Sequence, residues 1–260
     1  MKQKKYIFWA LSIFVLTLYS CSNDTDGSVK FLKKVVEVSN NGTSATSLFM
    51  YNGDEIVSID GVYKHTDFIY TDGLITKIVT LDKKSQVVET IEYSYIEGRL
   101  VTAKSLNNYR ISYVHNSDGT VSYEKWSLNV GNEEVKISYG KLYFQNENLI
   151  KEERIIDNTG VDVVSNYSTS FEYDSKKNPL YAILGYNKLL DQNQRISLNN
   201  SLVSTEIVSI TREDQITSSA NFYKSTYKYD SDGYPTEQVS ERALLENGTA
   251  AYLKTQYFYE

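Results

Sequence analysis

The chain has 260 residues, with 27 Lys and Arg against 33 Asp and Glu, a net charge of −6, 41% apolar residues and 23 Tyr. One Cys and two His exclude a disulfide framework, a thiolate metal cluster and a His₃ metal centre, and the acidic balance argues against a nucleic-acid partner. The aromatic content, 13%, is too high for a disordered protein, and the length suffices for one large domain or two small ones.

Residues 1–20 read as an export signal. Lys2, Lys4 and Lys5 make a basic start, and residues 6–18 form an uncharged, mostly apolar run of 13 residues. That run fits the roughly 7–15 residues of a signal-peptide core and falls short of the roughly 20 that cross a bilayer as a helix. It ends in Leu18-Tyr19-Ser20-Cys21, where a small residue precedes the one Cys of the chain. This tetrapeptide resembles a bacterial lipobox. The resemblance implies that Cys21 carries diacylglycerol, that the chain is cut before it, and that the membrane is reached through lipid; two or three acyl chains anchor stably where one does not.

Residues 21–28 read as the lipidated Cys and a tether, because Ser22-Asn23-Asp24-Thr25-Asp26-Gly27 is short, polar and acidic. The stretch resembles the export signal behind the lipidated Cys of surface lipoproteins of the Bacteroidetes. That likeness implies an outer-membrane address at the cell surface. Loss of residues 1–20 would leave 24 basic against 33 acidic residues, which favours solubility.

Residues 29–260 read as a single domain built from one recurring unit: an alternating strand that ends in Tyr, a turn rich in Asp, Asn or Gly, and a second strand. The last Tyr of each copy falls at Tyr70, Tyr95, Tyr113, Tyr143, Tyr173, Tyr229 and Tyr259, and the gap of 56 residues between Tyr173 and Tyr229 reads as two periods. Alternation places Ile91, Tyr93 and Tyr95 on one face and Thr90, Glu92 and Ser94 on the other. Gly, Asp and Asn supply the positive φ of tight hairpins. The expected fold is all-β: an antiparallel meander of about 12 strands, closed into a barrel because closure removes the edges and hides the aromatic face. Glu92, Glu172, Asp174 and Lys228 on the opposite face suit water and not lipid, so the barrel is expected to be soluble.

One segment breaks the pattern. Pro179 opens a Leu-rich stretch containing Ile183, Leu184, Leu189, Leu190, Ile196 and Leu198, which predicts a short helical insertion near residues 180–200. A barrel this wide has a lumen that wall side chains struggle to fill, so the insertion is expected to plug or cap one end.

The units Phe171-Glu172-Tyr173-Asp174 and Tyr227-Lys228-Tyr229-Asp230 resemble YD-type repeats. Together with the lipobox, the Asn-Pro insertion, Asn199-Asn200, the Gly233-Tyr234-Pro235 hairpin and the terminal Tyr-x-Tyr, they resemble a Bacteroidetes lipoprotein family, a domain of unknown function with a porin-like fold. The resemblance implies a β-barrel of the cell envelope and brings no catalytic residues.

No catalytic or metal motif stands out. His65 and His115 lack ligand spacing, and no GxSxG elbow or Walker loop is present. Glu133-Glu134 and Glu152-Glu153 are neighbours on strands and point to opposite faces, which makes poor acid/base pairs. Asp230-Ser231-Asp232-Gly233 begins like a calcium loop, but Val239 stands where the closing Glu belongs, so it reads as a hairpin turn. Two accounts of the aromatic excess remain: Tyr filling a wide barrel, or an exposed platform, including Trp126, on which sugars stack. The chain is therefore expected to be a non-catalytic surface lipoprotein without cofactor or metal, binding a glycan or other polymer. The alternatives are an interaction subunit contacting an outer-membrane partner protein, and a carrier of an apolar ligand in the lumen.

Overall fold

The structure, a computed structural model, describes residues 29–105, 108–131, 133–158, 162–213, 215–242 and 251–260. The export signal, Cys21 and the rest of the tether, residues 22–28, lie outside them. Sixteen strands form one antiparallel meander. In chain order they are β1 (Leu32–Ser39), β2 (Ser44–Asn52), β3 (Glu55–Gly61), β4 (Lys64–Thr71), β5 (Leu74–Asp82), β6 (Val88–Ile96), β7 (Arg99–Ser105) and β8 (Tyr109–His115). The second half comprises β9 (Val121–Leu128), β10 (Glu134–Gln145), β11 (Asn148–Asn158), β12 (Val163–Lys177), β13 (Asn199–Arg212), β14 (Gln215–Tyr229), β15 (Pro235–Arg242) and β16 (Ala251–Tyr259). Each strand pairs with its sequence neighbours, and β16 returns to β1, which closes the barrel and leaves no edge.

The expected barrel is present, but it has 16 strands and not about 12. Each repeat supplies two strands, and eight copies give the 16. Phe49-Met50-Tyr51 before Asn52-Gly53 is a further copy, at the end of β2. The 56-residue gap is one unit and not two, stretched by residues 178–198 and by the 14 and 15 residues of β13 and β14.

The repeat has a structural reason. Each even strand carries, at or near its end, an aromatic residue paired across the following hairpin: Tyr51 with Ile56, Tyr70 with Ile75, Tyr95 with Leu100, His115 with Val121, Phe144 with Leu149. Tyr173 with Ser201, Tyr229 with Pro235 and Tyr259 with Leu32 complete the ring. His115, not Tyr113, therefore holds the ring position on β8, and Phe144, not Tyr143, holds it on β10. A β-bulge sits beside the ring at six hairpins and at the β1–β16 seam. A bulge adds twist and leaves one residue out of the ladder. Hydroxyls from neighbouring strands meet carbonyls there: Tyr95 donates to Ile75 O at 2.7 Å, Tyr173 to Leu149 O at 2.6 Å and Tyr259 to Pro235 O at 2.7 Å. His115 Nε2 lies 2.9 Å from Leu100 O.

The insertion folds inward at this same end. Among the described residues it holds no α-helix, only 3₁₀ turns at Tyr186–Lys188 and Leu190–Ile196. Positive φ at Gly185 (71°) and Asn193 (52°) interrupts any longer run, and short 3₁₀ pieces suit a chain that must turn repeatedly in a confined space. Ile183, Tyr186, Leu189 and Ile196 are buried with the ring residues in one apolar core. The insertion is tied to three hairpin ends: Leu184 N donates to Asp54 O at 3.0 Å, Tyr70 Oη to Leu184 O at 3.1 Å, and Leu198 N to Glu147 O at 3.1 Å. One end of the barrel is thus sealed by a ring and a plug. The start of β1 and the end of β16 lie at that sealed end.

Candidate binding site in the barrel lumen

Above the plug the lumen is not filled. A cavity of about 970 Å³ opens to solvent between the plug and the inner wall, bordered by Glu37, Arg154, Tyr167, Glu206, Tyr227 and Arg195 among others. A second, of about 710 Å³, lies along β8 to β11 and the turn at Leu190–Ile196. Glu152, Arg154 and Asn193 border both.

Strand register decides which charges enter the lumen. In β11, Glu152 and Arg154 face inward, paired with Leu142 and Thr169 and with Gly140 and Tyr167. Lys151 and Glu153 face outward and pair with each other at 2.6 Å. Glu152-Glu153 do point to opposite faces, but Glu152 is no solvated outer charge: it accepts the Tyr123 hydroxyl at 2.8 Å inside the barrel. Lys125 of β9 also faces inward, and its ammonium lies 4.1 Å from the Tyr109 ring centroid. The Arg154 guanidinium lies 4.3 Å from the Tyr167 ring centroid, and its Nε is buried without a hydrogen-bond partner among the described residues. Burial, and then the Arg154 charge, hold Lys125 below the ordinary lysine range. Burial pushes the Tyr109 hydroxyl up to about 12, so it stays a neutral donor.

From the plug, Asp191 faces the second cavity. Its Oδ2 accepts Tyr93 Oη at 2.9 Å and Gln192 Nε2 at 3.2 Å, while Oδ1 is buried and unpartnered. Burial raises the Asp191 carboxyl, and the Tyr93 hydrogen bond only partly opposes it. A raised carboxyl binds its proton more tightly folded than unfolded, so it lowers stability as pH climbs from about 4 through its folded value. Asp191→Asn is therefore expected to raise the thermal midpoint relative to the parent at pH 8 and to leave it unchanged at pH 3.5. Circular-dichroism melts across that range measure it, and an equal gain at both pH values would show that ionisation is not the cause.

The outer wall differs. Trp126 shares the outward face of β9 with Glu124 and Leu128, half-buried, with Arg110 Cζ at 5.6 Å and Lys136 Nζ at 5.7 Å from its ring. Both cations are also paired, Arg110 to Glu134 at 2.8 Å and Lys136 to Glu124 at 3.0 Å. The structure does not bring Trp126 together with the lumen groups. His65 lies on the outer face between Asp60 and Asp67, at 2.8 and 3.1 Å, while His115 belongs to the sealing ring. Asp230 to Tyr234 is a hairpin turn, with Asp230 Oδ1 accepting the Asp232 and Tyr234 amides and Lys30 bridging Asp230 and Asp232. Among the described residues no group of His, Cys, Asp and Glu is placed to hold a metal ion. Sequence reading missed Lys125, Arg154 and Asp191. The signal available for the first two was alternation alone, since Lys125 is in phase with Tyr123, and Arg154 with Glu152.

No protein-family model and no curated protein matches the chain. Among solved structures it is similar to a crystal structure described as a porin-like protein from Bacteroides uniformis ATCC 8492, at 13% identity and a TM-score of 0.49 over 88% of this chain and 96% of that one. The likeness concerns the fold alone.

Proposed function

We propose that this is a non-catalytic binding barrel of the outer membrane, tethered through lipid on Cys21 at the cell surface, which receives a glycan or similar hydroxyl-rich polymer in its lumen. The observation that carries the reading is the blind cup: a closed wall, a sealed floor and an open cavity of about 970 Å³. A blind cup admits a chain end or a short oligomer, not the middle of a polymer. The described chain starts beside the sealed end, so an anchor at Cys21, eight residues before residue 29, holds the floor toward the membrane and turns the mouth outward. The outer wall carries ion pairs such as Lys77–Glu92 (2.9 Å) and Lys228–Glu237 (2.8 Å), which favours a barrel standing in water over one embedded in lipid. Glu37, Glu206 and Arg154 in the lining weigh against an apolar cargo. A second reading, contact with an outer-membrane partner protein, draws on the outward Arg110–Trp126–Lys136 row.

The test uses residues 22–260, which this reading expects to purify without detergent. Affinity electrophoresis through a panel of polysaccharides is expected to show retardation that Ser204→Trp, which fills the cup, abolishes and Trp126→Ala preserves. The reverse pattern moves the site to the outer wall. Absence of retardation, with one envelope protein cross-linked on intact cells, would favour the partner reading.

A further inference from the structure

We propose that the inner wall between β9 and β11 is a subsite for an anionic group on a hydroxyl-bearing ligand, a carboxylate or sulfate of an acidic saccharide, held by Lys125 and Arg154. The inference deepens the lumen reading and rests on it. Its first ground is two unpaired charges on the inner face of this wall. Three outward cations of the same wall have carboxylate partners: Arg110 with Glu134 at 2.8 Å, Lys136 with Glu124 at 3.0 Å, Lys151 with Glu153 at 2.6 Å. Lys125 and Arg154 have no ion pair among the described residues, although they face a partly closed lumen where an unpaired charge is costly. Burial, and then the Arg154 charge, hold Lys125 below the ordinary lysine range, which puts the two cations within electrostatic reach of one another. A chain of net charge −6 has carboxylates to spare for pairing. Like-charged neighbours without partners, in a cavity of about 710 Å³, are an arrangement that an incoming anion completes.

The second ground is geometry. Each cation is laid on a tyrosine ring, at 4.1 and 4.3 Å, which fixes the long side chains before a ligand arrives. The nearby carboxylates are already engaged, Glu152 by Tyr123 and Asp191 by Tyr93. The guanidinium fork suits the two oxygens of a carboxylate or sulfate, and its buried Nε lacks an acceptor. In the same cavity the buried Asp191 Oδ1 lacks a donor, which a sugar hydroxyl supplies. One anion plus neighbouring hydroxyls is the pattern of an acidic sugar.

The experiment is isothermal titration of residues 22–260 with trigalacturonate, a hyaluronan tetrasaccharide and a heparin tetrasaccharide, against galactotriose and chitotriose, at low and high salt. The acidic oligomers are expected to bind at least about tenfold tighter than the neutral ones, with the preference shrinking at high salt. Preference among the acidic probes separates carboxylate from sulfate. Arg154→Gln and Lys125→Met are each expected to remove the preference with an unchanged or higher thermal midpoint, because each removes an unpaired charge. Equal binding of acidic and neutral oligomers, abolished by Ser204→Trp, overturns the subsite and leaves the lumen reading standing. An acidic preference that survives Ser204→Trp but not Trp126→Ala overturns both, as does absence of binding to every probe. A large drop in midpoint for Arg154→Gln marks Arg154 as a structural residue and overturns the subsite.

Discussion

Leu189→Ala is expected to lower stability by about 2–5 kcal/mol, the range for truncating a fully buried leucine. In a domain of this size that corresponds to a fall of roughly 5–15 °C in the thermal midpoint. Leu189 is 0% exposed, and with Ile183 at 1% and Ile196 at 3% it forms the underside of the plug against the sealing ring. The cost arises because the plug is tied at both flanks, by Leu184 to Asp54 and by Leu198 to Glu147, and cannot collapse onto the vacated volume. Loosening should be local before it is global. Trypsin is therefore expected to cut after Lys188 and Arg195, both exposed on the plug, faster in the variant than in the parent under native conditions. Val130→Ala, at a fully exposed site, is the control and should change neither readout. Unchanged melting and unchanged cleavage for Leu189→Ala would mean that the plug does not pack as described.

Gly140→Ala is expected to be comparably severe, about 3 kcal/mol or more, for a different reason. A Cβ on Gly140 would stand 1.9 Å from the Glu153 carbonyl oxygen and 2.9 Å from Tyr123 Cζ. The first contact is with backbone, so β10 and β11 must move apart and strain enters a ladder that a closed barrel cannot relieve at an edge. The second contact lies beneath the ring that spans β10 to deliver its hydroxyl to Glu152. The missing side chain is what allows Tyr123 to cross that strand. The variant should therefore lose stability and oligosaccharide binding together, whereas Arg154→Gln should lose acidic preference without losing stability. Chemical denaturation and titration on both variants separate the two effects, and a fully stable Gly140→Ala would show that the strands have room the structure does not give them.

What the sequence by itself determined is local. Alternation assigned Tyr93 and Tyr95 to the inner face and Glu92 to the outer, because successive side chains of a strand leave on opposite sides whatever the strand pairs with. Turns such as Asp72-Gly73 and Glu97-Gly98 were legible because a residue with positive φ leaves a narrow choice of chemistry. Closure followed from the cost of unpaired edges, and the plug from an excess of Leu in a stretch with no strand period.

The tertiary structure decided the rest. The number of strands depended on recognising Tyr51 as a further copy, and the ring positions of His115 and Phe144 emerged only from strand pairing, which has no one-letter signature. The insertion takes 3₁₀ turns because it must fit a floor shaped by other hairpins. The lumen charges stayed hidden because an inward Lys or Arg reads like any other strand charge until the wall is closed around it. Only then does it become visible that Arg154 Nε has no hydrogen-bond partner among the described residues, since partnership is a property of space and not of spacing.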